Sequence, residues 1–256
     1  WRVHGRQIGR LSRRELAWMA AAGTFLGLHF ATWIASLEYT SVASSVVLVT
    51  TGPVFVALGS WLFLGERPGS RTALGIVLAM AGSVFITWGD LGRGGDHLLG
   101  DVLALAGAVM MAGYLMIGRR ARAGLSLGAY IAPVYSASAL ALVLMVLVAG
   151  QPLLGFSPAA YGWMLAMALV PQLVGHSALN WALRHLSATY VAISTMAEPI
   201  GSSILAYFIF GETVAWTTFV GGAAILAGIY VASRGELTQR SFVPQQPRPT
   251  RPTLGG

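Results

Sequence analysis

Glu198 is the residue with the most chemistry to offer, because it is a carboxylate that directly follows a run, residues 185–197, without Asp, Glu, Lys or Arg. Within an apolar helix an ionised carboxylate costs about 2.5–3.5 kcal/mol by insertion scales. The adjoining Pro199 has no N–H to give to the carbonyl of Thr195, so a hinge is expected beside the acid. Two roles fit such a group. It binds a cation or proton, or orients a substrate; or it sits protonated in a hydrogen bond between helices.

Gln172, His176 and Asn180 recur every four residues, which sets three polar side chains on one helical stripe continued by Arg184. Pro171 opens the stripe with a bend. A stripe of this kind faces protein or water, either as the wall of a cavity or as packing between helices. His29, followed at turn spacing by Thr32, Trp33 and Ser36, is a weaker version, and a lone histidine is more often packed and hydrogen-bonded. Together Glu198, His176, Asn180, Gln172, His29 and Trp33 make up the expected substrate or proton pathway, with Pro53, Pro199 and Pro171 as helix hinges. Proton coupling through this path is expected.

Other chemistries find little here. The chain has no Cys, which excludes disulfides, thiolate metal sites, iron–sulfur clusters and c-type haem attachment. It also lacks the Lys needed for a retinal Schiff base. There is no His-Glu-x-x-His motif, and Gly201-Ser202-Ser203 has no general base at a recognisable spacing. No enzyme activity, metal or cofactor is expected. The rival readings are an intramembrane enzyme and a membrane scaffold that transports nothing.

The elements that must hold these residues follow from composition. The 256 residues are 55% hydrophobic and only 10% charged, against roughly 25% charged in soluble domains. Asp, Glu, Lys and Arg are absent from 16–37, 39–65, 72–89, 102–118, 123–183 and 213–233, and each gap is one bilayer crossing or a multiple of it. Gly150, Gln151, Pro152, Gly155 and Pro158 divide the longest gap. An all-α integral membrane protein results, with eight transmembrane helices at roughly 16–36, 42–64, 72–88, 101–118, 127–149, 160–183, 189–210 and 214–233.

Alternating these spans puts 15 of the 16 Arg residues on one face and only Arg93 on the other, beside Glu38, Asp90, Asp96 and Glu212. Basic loops stay in the cytoplasm, so both termini are expected there, in the plasma or inner membrane. The high pI reports this membrane face and the lipid bilayer as partner, not nucleic acid. Residues 1–15 form a basic cytoplasmic arm. The Pro-, Gln- and Arg-rich residues 235–256 are expected to be a disordered cytoplasmic tail.

A shift of 146 residues aligns 37–82 with 183–228 without a gap. It matches Leu37 with Leu183, Ser41 with Ser187, Pro53 with Pro199 and Gly65-Glu66 with Gly211-Glu212. Gly75 then falls on Gly221 and Gly82 on Gly228. These residue types fix backbone geometry, so the two segments share one fold unit. Five spans separate equivalent helices, and an odd number inverts the second copy. The carboxylate at 198 falls on Gly52, so the shared hinge alone does not explain it. Glu66 and Glu212 recur at helix ends in both copies and are read as structural acceptors of backbone N–H groups from the following helix.

The segments "SLEYTSVASSVVLVTTGPVFVALGSWLFLGE" and "LSATYVAISTMAEPIGSSILAYFIFGE", each followed by its glycine pair, resemble the paired signature of the drug/metabolite transporter superfamily, EamA type. "GDVLALAGAVMMAGYLMIGRR" is similar to the start of its second repeat, and the resemblance covers about residues 12–235. It implies a ten-helix carrier with a 5+5 inverted repeat and a central cavity, exporting small metabolites or drug-like molecules by alternating access. Residues 16–89 then form a first repeat of three helices, 100–234 a second of five, and two further helices are expected before Trp1.

Overall fold

The computed structural model describes residues 7–9, 11–88, 97–122, 124–211 and 216–242, and among these it is all helix and turn, without a strand. The helices are α1 (Arg13–Tyr39), α2 (Val42–Val49), α3 (Gly52–Gly59), α4 (Ser70–Thr87), α5 (His97–Arg122), α6 (Leu127–Val148), α7 (Pro158–Met167), α8 (Ser177–Ala182), α9 (Ala188–Thr195), α10 (Glu198–Phe210) and α11 (Trp216–Phe242). A π-helical turn, Ser60–Leu64, extends α3, and a second, Ala168–His176, joins α7 to α8.

Six stretches among the described residues are long and apolar enough to cross a membrane: Arg13–Tyr39, Ser44–Leu64, Leu98–Arg122, Leu127–Val148, Pro158–Ala182 and Trp216–Gly235. Ser70–Ile86 is apolar but shorter. Residues 188–210 are helical with an interruption at Met196-Ala197. The protein is an integral membrane protein.

Local chemistry explains where helices start. α1 begins at Arg13 instead of 16 because Ser12 and Glu15 form a capping box, the Glu15 Oε2 accepting from the Ser12 N–H at 2.8 Å. Ser41, Ser126, Ser157 and Ser187 each accept a first-turn N–H of the helix that follows. At the other end of the chain the expected tail needs correction. α11 continues through residue 242, since 235–242 hold no Pro and an established helix propagates cheaply until Pro244 constrains its predecessor. Residues 243–256, residues 1–6 and the loop carrying Asp90, Arg93 and Asp96 lie outside the described residues.

The repeat is visible as shared irregularity. In the first copy Thr51 N–H bonds Leu48 O and Val54 N–H bonds Thr51 O; in the second, Ala197 bonds Ser194 O and Ile200 bonds Ala197 O. These tight three-residue bonds break each helix at the same place. α3 and α10 then restart with a proline in second position, Pro53 and Pro199. Gly65 and Gly211 end the restarted helices at φ 70° and 68°, a left-handed conformation that glycine adopts without cost.

The two copies meet at α4 and α11, which cross antiparallel. A Cβ at Gly75 would stand 2.6 Å from Gly228 O, and a Cβ at Gly82 would stand 2.5 Å from Gly221 O. Gly75 also faces Ala232 while Gly221 faces Ile86, and Gly228 faces Ala79 while Gly82 faces Ile225. Every contact reappears with its partners exchanged under the 146-residue shift. That is the mark of a local two-fold axis between equivalent, inverted helices.

Candidate functional site

α1 packs along α5 and α6, and α8 closes against α5 and α6. Small residues permit the close approach: the α5 row Ala104, Ala108 and Ala112 is buried, and a Cβ at Gly107 would stand 3.3 Å from Trp33 Cβ. His29 Nδ1 can therefore reach across and donate to Gly107 O at 2.9 Å. The carbonyl can only accept, so this nitrogen carries the proton. His29 is 7% exposed, the packed histidine that its isolation in sequence suggested.

A cluster of rings grows from that point. His29 stacks on Trp33 with centroids 5.8 Å apart, and Phe30 meets His176 edge-on at 5.2 Å. His176 also lies 5.9 Å from the Tyr114 ring. Beneath them the Asn180 amide donates to Tyr114 Oη, to Tyr135 Oη at 3.3 Å and to His176 O at 2.8 Å. Tyr135 Oη lies 3.2 Å from Ser177 Oγ. Asn180, Tyr114 and Tyr130 are fully buried, whereas His176, Gln172, Trp33, Phe30 and Tyr135 are half-buried. The first group is a sealed floor and the second a wall above it.

Several polar atoms in this region are buried without a hydrogen-bond partner among the described residues: Trp33 Nε1, Tyr130 Oη, Gln172 Oε1, His176 Nδ1 and Asn180 Oδ1. Such groups are costly unless something supplies their bonds. Tyr130 Oη and Asn180 Oδ1 both flank Gly118, at 3.1 and 3.6 Å from where a Cβ would stand. Floor and wall thus offer unused donors and acceptors.

Four of the residues expected in the pathway, His29, Trp33, His176 and Asn180, are brought together. Gln172 lies four residues before His176 on the π-helical turn, where a four-residue step no longer completes a turn, so the straight stripe expected of an α-helix is rotated. Pro171 inside that turn cannot bond back to Met167, which favours the wider winding. Glu198 opens α10, an exposed residue on an element that packs against α11. The ring and amide network is built without it.

Glu66 behaves differently from the expected cap. The amino end of α4 has Gly69 as its cap residue and no side-chain bond. Glu66 Oε1 instead takes Arg119 Nε at 3.0 Å, and Arg119 also donates to Leu183 O at 3.1 Å. A guanidinium within reach outcompetes neutral N–H groups for the carboxylate. The result ties the first repeat to the α8–α9 turn of the second. Glu212 lies outside the described residues.

Sequence reasoning missed Arg122, Phe30 and Tyr130. Arg122 is 1% exposed, its Nε donating to Asn180 O at 2.9 Å and its Nη1 to Leu125 O. Tyr114 and Tyr135 belong to the cluster as well. Trp181, Tyr207 and Trp216 are exposed on the outer surface.

A model of the EamA-like transporter family matches residues 3–88 and 98–234. An uncharacterized transporter of Archaeoglobus fulgidus is 27% identical over 232 residues, covering 90% of this chain and 79% of the relative. A second from that organism is 25% identical over 210 residues, 80% of this chain and 72% of the relative. The uncharacterized transporter YwfM of Bacillus subtilis is 24% identical over 204 residues, 77% and 66% respectively. A solved structure titled only as the crystal structure of a protein superposes with a TM-score of 0.74 at 19% identity, over 93% of this chain and 81% of that one. It shares the fold.

Proposed function

This chain belongs to the EamA-like transporter family, and from that premise we propose a secondary carrier that exports a small metabolite or drug-like molecule across the cytoplasmic membrane by alternating access. Family and relatives indicate a transporter rather than an enzyme. The observation that carries the mechanism is the exchanged-partner packing of α4 on α11. Two inverted copies about one axis can swap conformations, and each swap moves the opening from one membrane face to the other. The chain crosses the membrane eight times, with both termini cytoplasmic. The Arg distribution supports this orientation.

The substrate site in this reading is the wall of Trp33, Phe30, Gln172 and His176 over the Asn180–Tyr114–Tyr135 floor. Two of its unused acceptors and donors, on Gln172 and His176, are buried on the π-helical turn, and irregular backbone at membrane depth is tolerated where protein or enclosed water surrounds it. Glu198, at the amino end of a restarted helix, is the proton or cation acceptor that couples transport. The half-helix dipole favours the carboxylate there, and Gly52 at the equivalent position makes that site one-sided.

Glu198→Gln tests the coupling. It should reach the membrane at wild-type level yet lose pH-dependent efflux, while Glu66→Gln should keep coupling and only lose stability. Normal pH-dependent efflux by Glu198→Gln would refute the role.

A further inference from the structure

Behind the floor of the ring cluster lies a second layer of contacts. α5 passes the wall at Gly107, beside Trp33, reaches the floor at Tyr114 and carries Arg119 and Arg122 in its last turn. At 1.5 Å per residue, Tyr114 lies about 10 Å beyond Gly107, and Arg119 about 8 Å beyond Tyr114. The chain through α8 runs alongside in the same sense, from His176 beside the Tyr114 ring to Leu183 beside Gly118. A Cβ at Gly118 would stand 2.8 Å from Leu183 Cδ1, and Leu183 is fully buried. The two segments close on each other at this level.

The partners of the two arginines divide by repeat. Arg122 donates to Asn180 O at 2.9 Å and to Leu125 O, and all three residues belong to the second repeat. Arg119 donates to Leu183 O at 3.1 Å, again in the second repeat, but its Nε donates to Glu66 Oε1 at 3.0 Å. Glu66 directly follows Gly65, where the restarted helix of the first repeat ends. Its other oxygen, Oε2, is buried with no hydrogen-bond partner among the described residues, so Arg119 is what compensates this carboxylate. When two repeats rock against each other, contacts inside one repeat persist, while a contact between repeats at one end of the path must break for that end to open. We propose that the Glu66–Arg119 pair is the latch of a gate at this end of the carrier, closed in this structure. Arg122 is then the fixed frame that keeps the Asn180 floor within the second repeat. The inference rests on the carrier reading above and adds the gate which that reading leaves unassigned. At 28% and 32% exposure, the latched side chains can exchange each other for water as the gate opens.

The test uses the full Cys-free chain with one reporter in the wall, Gln172→Cys. A membrane-impermeant maleimide is added to right-side-out and to inside-out membrane vesicles, so labelling rates are read on both faces without any efflux. A chain that exports nothing would refute the carrier and still return these rates. Arg119→Gln should speed labelling about fivefold from the face where α5 ends, the shift expected from losing one partly exposed ion pair. Arg120→Gln, the same charge change at an exposed neighbour, should leave the rate unchanged. Arg119→Glu should also speed labelling, and adding Glu66→Arg, which restores opposite charges, should slow it again. Should the Arg119 variants fail to reach the membrane, the reporter chain itself carries the comparison. Salt raised from about 0.01 M to about 1 M cuts the Debye length from about 30 Å to about 3 Å and should speed labelling from the same face. Labelling of Arg119→Gln no faster than the unsubstituted reporter on either face would overturn the proposal. So would equal acceleration by Arg120→Gln, or a rate that ignores salt.

Discussion

Phe30 and His176, 146 residues apart in sequence, touch each other edge to face with ring centroids 5.2 Å apart and planes at 71°. The repeat shift makes them equivalent, so each copy contributes the same position to one contact. One copy supplies an apolar ring and the other a ring with two nitrogens.

The glycine crossing should be intolerant of even one methyl group. Gly82→Ala would press a Cβ against Gly221 O at 2.5 Å, which forces α4 and α11 apart and should cost about 1–3 kcal/mol. Gly162→Ala, which meets nothing within 4 Å, should instead stabilise by about 0.5–1 kcal/mol by removing backbone freedom. Thermal unfolding of the purified variants reads both. Equal melting temperatures would mean that the crossing is looser than described.

Two arginines two residues apart should differ sharply. Arg122→Met leaves the carbonyls of Asn180 and Leu125 without the guanidinium they accept from, at a cost of about 1–3 kcal/mol. Arg120→Met, at an exposed position, should change stability by no more than about 0.5 kcal/mol. Denaturant titration of the pair separates a buried structural arginine from a topological charge.

The floor of the site can be dissected hydrogen bond by hydrogen bond. Hydrogen bonds between membrane helices average about 0.6 kcal/mol. Tyr135→Phe loses the bonds to Asn180 and Ser177 and should cost about twice that. Asn180→Leu breaks the links to Tyr114, Tyr135 and His176 O and should cost about three times that. An Asn180→Leu protein more stable than Tyr135→Phe would show that the links to Tyr114 and His176 O contribute nothing.

Orientation is open to direct labelling, because the chain has no Cys of its own. A single cysteine at Gln151 should react with an impermeant maleimide added to intact cells. Cysteines at Ser70 or Gly124 should react only after permeabilisation. The reverse pattern would invert the topology.

What could be read from sequence divides along physical lines. Pro53 and Pro199, Gly65 and Gly211, and the glycine pairs of α4 and α11 were legible because each dictates backbone geometry locally, and the repeat they define carries through to the contacts. The stripe of Gln172, His176 and Asn180 was only partly legible. Its spacing assumed an α-helix, and the π-helical turn around Pro171 changes the angle between the first two members. Arg122 gave no signal, since within Gly118-Arg119-Arg120-Ala121-Arg122 nothing local distinguishes the arginine that is buried from the one that is exposed. Its partners are supplied by the fold. The Glu66–Arg119 pair spans 53 residues, and only the packing of the first repeat on the second brings its members within reach.

The central claim is that substrate passes beside the Phe30–His176 contact. Untargeted profiling of the medium from cells overexpressing the protein, against cells expressing His176→Phe at equal membrane level, tests it most directly. The substitution keeps a ring against Phe30 and Tyr114 and removes both nitrogens, so packing is largely retained. At least one small metabolite should accumulate outside wild-type cells and fall to the empty-vector level with His176→Phe. Equal export by the two proteins would contradict the account.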